Sequence, residues 1–469
     1  MTTAASDSTP GLWTTVREAL RGSHQDFTEV PVNRAVVLLA VPMVLEMLME
    51  SVFAVADVFF VGRLGADAVA TVGITESLMT VIYAIAIGLC IGATATVARR
   101  IGEKDPDAAA RAAVQSIALG LIMAVIIGGT GAFFASDLLR VMGASDEVVR
   151  IGSTFARVML GGSGGVLLLF LINAVFRGAG DAAIAMRVLW FANAINILLG
   201  PCLIFGLGPF PEMGVTGAAV ATTIGRWSGV GYQVLHLVRG RGRLTVRAEH
   251  LLPQAAVMRS ILRLSGVAMF QNFIGTASWM GLVRILTGFG SAAVAGNTIG
   301  IRIILFALLP SFGVSNAAAT LVGQNLGAGK PERAEAAAWT AGHYNTMCLV
   351  VVGIIFLLFA PQLIAAFSSD PEVVPYGVRC LRIVSAGFLF YGYGMVLTQS
   401  FNGAGDTRTP TLINLFCLWL FEIPLAWVLA HPLGFGPTGV FIAVSVAFSV
   451  LALVSAALFR QGSWKMRRV

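Results

Sequence analysis

Long runs of Gly, Ala, Leu, Val and Ile, separated by short polar stretches, make up nearly the whole chain. The apolar positions do not alternate with a period of two, so the runs read as helices and not as strands of a barrel. A helix needs ~20 apolar residues to cross a hydrocarbon core of ~30 Å. Spans of that length are predicted near 34–61, 68–97, 112–135, 151–175, 183–206, 214–238, 258–286, 293–321, 338–361, 376–401, 410–431 and 437–460. Composition agrees: 57% of residues are hydrophobic and 12% charged, with a mean hydropathy of +0.83. A soluble protein this apolar would have too little polar surface to stay dispersed. The expected class is an all-α polytopic membrane protein of 12 transmembrane helices, with membrane lipid as its surrounding partner.

Charge changes this picture only by orienting it. With the N-terminus inside, most of the 31 Lys and Arg fall on the cytoplasmic side. They include Arg99, Arg100, Lys104, Lys330 and Arg333, the central cluster Arg239, Arg241, Arg243 and Arg247, and the tail Arg460, Lys465, Arg467 and Arg468. That bias is the positive-inside pattern, so the net charge of +7 is a topology signal and not a nucleic-acid footprint. A bacterial inner (plasma) membrane location with both termini cytoplasmic follows as an expectation. The five cysteines are unclustered, which indicates neither a disulfide framework nor a metal site. Residues 1–33 carry no signal-peptide core. Leu12, Trp13, Val16, Ala19 and Leu20 beside Arg17 and Arg21 fit an interfacial amphipathic helix or, equally, a frayed tail.

The chain matches itself at an offset of 225 residues. Gly65 and Ala68-Val69-Ala70 meet Gly290 and Ala293-Val294-Ala295, and Gly102 and Pro106 meet Gly327 and Pro331. Glu147-Val148-Val149 meets Glu372-Val373-Val374, and Gly178-Ala179-Gly180-Asp181 meets Gly403-Ala404-Gly405-Asp406. A contraction of three residues then brings Thr216-Gly217 onto Thr438-Gly439. One register held so long means duplication. Each copy has six spans, an even number, so the repeats are parallel (6+6) about an axis along the membrane normal. The predicted organisation is a tail 1–33, an N-lobe 34–238, a linker 239–257, a C-lobe 258–460 and a basic tail 461–469, with a central cavity between the lobes.

Three stretches now bear on family. They are Ala56-Asp57-Val58-Phe59-Phe60-Val61-Gly62-Arg63-Leu64-Gly65, Leu321-Val322-Gly323-Gln324-Asn325-Leu326-Gly327-Ala328-Gly329-Lys330, and Asn402-Gly403-Ala404-Gly405-Asp406-Thr407-Arg408-Thr409-Pro410. Over nearly its whole length the chain resembles the multidrug and toxic compound extrusion (MATE) family. The resemblance implies a secondary antiporter that works by alternating access of two lobes. It would export organic, often cationic, drugs or toxic metabolites against inflow of protons or sodium, as a monomer and without a cofactor. A major facilitator is the nearest rival, but its basic Gly-rich loop is not matched by Arg99-Arg100-Ile101-Gly102-Glu103-Lys104-Asp105-Pro106. A lipid-linked-substrate flippase of the same superfamily remains as an alternative.

Ionisable side chains inside lipid are expensive and read as functional by default. The first span carries Glu46, Glu50 and Asp57. Glu50 lies ~40° and Asp57 ~20° from Glu46 around the axis, so all three share one face. A ladder of carboxylates along a cavity is what a proton or cation relay needs; Glu46, nearest the cytoplasm, has the competing reading of a pair with a basic loop. Their repeat mates are Gln271, Gly275 and Leu282, which places the ion site in the N-lobe. By resemblance, the helix-one Asp57 works with Asn196 and an acid one turn later, where this chain has Gly200. That departure weakens a sodium site at Asp57 and Asn196 and favours the proton as coupling ion, unless Asn193 or Glu50 compensates. Pro42 matches the proline where such first helices bend. Glu76 and Arg302 are nearly repeat-equivalent and are expected as a pair between lobes, or each as a pair within its own lobe. Glu422, Arg226 and Arg284 are intramembrane charges to which the sequence gives no role. Phe53, Trp279, Phe306, Tyr391 and Tyr393 are expected near the cavity walls.

Gly161-Gly162-Ser163-Gly164-Gly165 satisfies G-x-S-x-G and permits an intramembrane protease reading. It lies in a Gly-rich stretch where close helix packing explains glycine well, and His343 stands in no matching motif. No zinc-protease, nucleotide or dinucleotide signature is present, so the chain is expected not to be an enzyme.

Overall fold

A computed structural model describes residues 11–240 and 242–467; Arg241 and Arg468 of the basic clusters lie outside them. An amphipathic helix, α1 (Leu12–Arg21), precedes the N-lobe helices α2 (Val32–Val61), α3 (Ala66–Gly102), α4 (Pro106–Phe133), α5 (Ala135–Val141), α6 (Asp146–Gly161), α7 (Ser163–Ala179), α8 (Ala182–Phe205) and α9 (Val215–Arg239). The C-lobe holds α10 (Ala255–Thr287), α11 (Ser291–Gly327), α12 (Pro331–Ala365), α13 (Val374–Ala386), α14 (Phe388–Gly403), α15 (Arg408–Asn414), α16 (Ile423–Ala430) and α17 (Pro437–Gln461). No strand occurs among the described residues.

Two predicted spans are each made of two helices. The fourth breaks at Gly162 between α6 and α7, and the tenth bends by 61° at Gly387 between α13 and α14. Both breaks are at glycine in a close-packed spot: a Cβ on Gly162 would lie 2.6 Å from Thr223 Oγ1, and one on Gly387 2.8 Å from Ser445 Oγ. The eleventh span changes helical pitch, with a π-helical stretch Leu415–Glu422 between α15 and α16. Pro42 lies inside α2, which runs on as one helix through it. Nine helices, or ten spans counting the bent pair, pass as long and apolar among the described residues. The more polar α9 and α10, at 25 and 33 residues, complete the two sets of six. The linker is not all coil: it carries a 3-10 turn at Ala248–Leu251, and α10 starts three residues before the predicted boundary.

Matched sequence positions have matched backbones. Gly65 and Gly290 both sit at φ 99, and Gly180 and Gly405 at φ 93 and 84, all in the left-handed region that glycine adopts without strain. Lys104, at φ 59, is the repeat mate of Gly329, at φ 69. The duplication is therefore visible residue by residue.

The lobes meet through α2 against α11 and α3 against α10. A Cβ on Gly102 would fall 1.9 Å from the Gln324 carbonyl oxygen, and one on Gly327 would fall 2.2 Å from that of Arg99. A Cβ on Gly313 would fall 2.7 Å from the Met43 carbonyl oxygen. Thr320 and Gln324 of α11 donate across the interface to the carbonyls of Arg177 (3.2 Å) and Gly178 (2.9 Å). All these contacts lie in the half of the molecule nearer the two termini. Toward the other face, Glu76 of α3 and Arg302 of α11 are both exposed, and neither has an ion-pair partner among the described residues. Charged side chains accessible at membrane depth on both lobes are what a cleft between the lobes would expose.

Candidate transport site

The three acids of α2 are placed by the same helical face but meet three environments. Glu46 is fully buried; its Oε1 accepts from Arg177 at 2.6 Å and from Asn173 at 3.0 Å, both on α7. Gln233 of α9 donates to Asn173 Oδ1 at 2.8 Å and extends the network. Glu50 accepts from Arg226 of α9 at 2.8 Å and from Asn193 of α8 at 3.0 Å. Arg226 itself is 2% exposed and lies over the Phe53 and Phe170 rings at 4.9 and 5.5 Å. Two members of the expected ladder are therefore neutralised by buried arginines. Glu50, which the sequence leaves open as a further ligand of a sodium site, is paired here with Arg226, an arginine to which the sequence gives no role.

Asp57 differs. It is half-buried and receives no hydrogen bond or ion pair from the described residues. It lines a small cavity with Thr75, Glu76, Phe155, Met159 and Thr222. Thr222 Oγ1 accepts from Asn196 Nδ2 at 2.8 Å, so Asn196 of α8 is brought to the cavity through α9. A Cβ at Gly200 would be 3.9 Å from Asn196 Oδ1, so a side chain at that position would adjoin Asn196, and glycine leaves the place without a carboxylate. Thr222 was missed in the sequence because α9 offers several hydroxyls and only packing selects one.

Other expectations fare differently. Tyr391 and Tyr393 do not line the cleft: Tyr391 stacks on Phe448 at 4.7 Å and Tyr393 packs against Trp339 and His343, both inside the C-lobe. Ser163 is 1% exposed in the α6–α7 break, with its glycine neighbours against Ala124 and Trp227, as helix packing requires. Glu422 is buried in the C-lobe, where Ser278 approaches it at 3.0 Å.

A twelve-span helical bundle in two parallel lobes, with acids gathered at one lobe's core, defines a membrane transporter. The MatE family model matches residues 42–202 and 266–428, one segment in each lobe, and the chain belongs to this family of transporters. A probable multidrug resistance protein NorM of Thermotoga maritima is 30% identical over 457 residues, covering 97% of this chain and 98% of that one. The FAD transporter of Shewanella oneidensis is 26% identical over 404 residues, covering 84% of this chain and 88% of that one. A solved structure described as the outward-facing conformation of a multidrug resistance MATE family transporter of the MOP superfamily superposes with a TM-score of 0.87. It is 27% identical, over 93% of this chain and 96% of that one.

Proposed function

We propose that this chain is a proton-coupled exporter of small organic, often cationic, compounds, working as a monomer in a bacterial inner membrane with both termini in the cytosol. The observation that carries this reading is Asp57. Among the described residues it is the one acid of α2 without an ion-pair partner, and it lines a small cavity with Thr75, Glu76 and Thr222. A carboxyl there can bind and release a proton as the lobes rock, whereas Glu46 and Glu50 hold α2 against α7, α8 and α9. In this scheme Glu46 and Glu50 keep the helix in register, and Asn196 with Thr222 supplies the hydrogen bonds that Asp57 meets when the cavity contracts. Glu76 and Arg302 approach as the outer cleft closes and part as it opens.

A dehydrated sodium ion wants about six oxygen ligands with compensating negative charge. Gly200 removes one such ligand, and Arg226 already claims Glu50. Protonation needs a single carboxyl, so the proton is the coupling ion. Proteoliposomes loaded with ethidium test it: an imposed pH gradient without sodium should drive ethidium across, and Asp57→Asn should stop it. Movement that requires sodium and ignores the pH gradient overturns the assignment.

A further inference from the structure

Glu422 is the last residue of the π-helical stretch Leu415–Glu422. It is 2% exposed, and its Oε1 has no hydrogen-bond partner. Its Oε2 lies 3.0 Å from Ser278 Oγ on α10, a hydroxyl that is also 2.7 Å from the Leu418 carbonyl oxygen. The elements packed on this stretch are α10, α15, α16 and α17. None of them brings a basic side chain into ion-pair reach of Glu422 among the described residues. Two titratable side chains of this region, Tyr391 of α14 and Cys417 of the same stretch, are not cations.

The repeat shows what is missing. In the N-lobe, Glu50 sits at the seam of α2 with α8 and is neutralised by Arg226 of α9. The matching C-lobe seam is that of α10 with α15, the π stretch and α16. There the acid comes from the other helix of the pair. With the contraction of three residues, Arg226 falls on Phe448 of α17, whose ring stacks on Tyr391 with an interplanar angle of 11°. Where the N-lobe has the arginine that answers its acid, the C-lobe has an aromatic pair. A carboxylate left bare in a lobe surrounded by lipid is costly, and no guanidinium answers Glu422 among the described residues as Arg226 answers Glu50. Irregular π turns recur at functional positions because they break the helical ladder locally. Here the break is held by the Ser278 hydroxyl and by Trp419 Nε1, which donates to the Ile274 carbonyl at 3.0 Å.

The seam is also coupled to the lobe interface. Helix α10 lies against α3, where a Cβ on Gly88 or Gly92 would come within 2.3 Å of Met269 Cγ or Ser265 Oγ. A shift of α10 as the lobes rock moves Ser278 relative to Glu422. We propose that Glu422 is a second proton-binding site, built into the C-lobe seam between α10 and the π-helical stretch and separate from Asp57. The proton leaves the carboxyl to water when the seam loosens, and the Ser278 hydroxyl donates to the carboxylate that remains. This concerns proton binding itself and holds whether or not Asp57 couples export to protons.

Infrared difference spectra of the purified full-length chain in detergent, recorded between acid and alkaline pH, read the C=O stretch of protonated carboxyls directly. Glu422→Gln should remove one titrating component that Asp57→Asn retains, with helical content and thermal melting kept near wild type. Ser278→Ala should keep that component but move its midpoint by about one pH unit, the effect of one hydrogen bond to the carboxylate. If Glu422→Gln fails to fold, the Ser278→Ala midpoint decides. Spectra of Glu422→Gln that superimpose on wild type, loss of the same component in Asp57→Asn, or an unmoved midpoint in Ser278→Ala each overturn the proposal.

Discussion

Glu46, Glu50 and Asp57 follow one another along one face of α2, and what separates them is the neighbour each one meets. Asp57→Asn should abolish export in a pump-deficient bacterium while leaving expression and melting temperature near wild type, since Asp57 supports no contact that holds the fold. Leu282→Asn, at the repeat-equivalent place, should spare transport unless it disturbs the C-lobe core in which Leu282 is buried. Full-rate transport by Asp57→Asn would remove the N-lobe carboxyl from the mechanism. Glu46 should behave in the opposite way. Glu46→Gln leaves Arg177 buried without its counter-charge, and breaking such a pair costs about 3–5 kcal/mol. A lowered melting temperature that Arg177→Gln partly restores in the double variant would show the coupling; additive losses would refute it. The sequence placed all three acids on one face correctly, but their inequality was not legible there, because Arg177 and Arg226 lie over a hundred positions away in the chain.

At the scale of elements, the segment between α1 and α2 clasps both lobes. Phe27 is buried, with its ring against Gly180 of the N-lobe; a Cβ there would be 2.8 Å away. Lys330 of the C-lobe donates to the Thr28 carbonyl at 3.0 Å and pairs with Glu29 at 2.5 Å, and Arg333 donates to the carbonyls of Phe27 and Val30. Lys104 of the N-lobe pairs with Asp26 at 3.5 Å. Burial opposes ionisation of Asp26, but hydrogen bonds from Thr28 and the Lys104 charge outweigh it and hold the carboxyl below its usual range. The Lys330 hydrogen bond and charge do the same for Glu29. A carboxyl lowered in the folded state stabilises above its unfolded pKa and stops doing so as pH falls through the folded one. Hydrogen exchange of residues 23–31 should therefore stay slow at neutral pH and quicken only below the ordinary carboxylate range. Exchange that quickens between pH 6 and 8 instead, near the ordinary range of histidine, would contradict the role of Asp26 and Glu29. Of the two readings open for Leu12, Trp13, Val16, Ala19 and Leu20, a helix is what forms: α1 exposes Leu12 and Trp13 and buries Ala19. Its tie to Arg34 through Glu18 at 2.7 Å, which fixes it to α2, needed the fold to be seen.

For the whole molecule, parallel repeats put the α5–α6 and α12–α13 turns on one side. Single cysteines at Ser145 and Asp370, both exposed, should label from the same side of intact cells, the outside. Labelling from opposite sides would sink the parallel arrangement. Glycines that let α3 and α11 touch backbone to backbone should matter for cycling. Gly102→Leu should prevent α3 and α11 from meeting as they do here and impair transport even where the protein still reaches the membrane. Normal export by a well-expressed Gly102→Leu variant would show that this contact is dispensable.

Length and patterning of apolar runs determined the number of spans, the duplication and the membrane setting, because the cost of exposing polar backbone in lipid constrains every segment locally. The glycines at 65, 102, 290 and 327 were equally readable as repeat mates, since a positive φ or a backbone contact excludes other residues wherever it occurs. Tertiary structure alone decided which acid stays free, which hydroxyl joins it and which lobe's carboxyl lacks a cation. Charge compensation is a property of neighbours in space: Arg226 reaches Glu50 from 176 positions away, and Phe448 stands in the C-lobe where no such arginine does. The breaks at Gly162 and Gly387 and the π stretch ending at Glu422 belong to the same category, because composition predicts a helix there and only packing interrupts it.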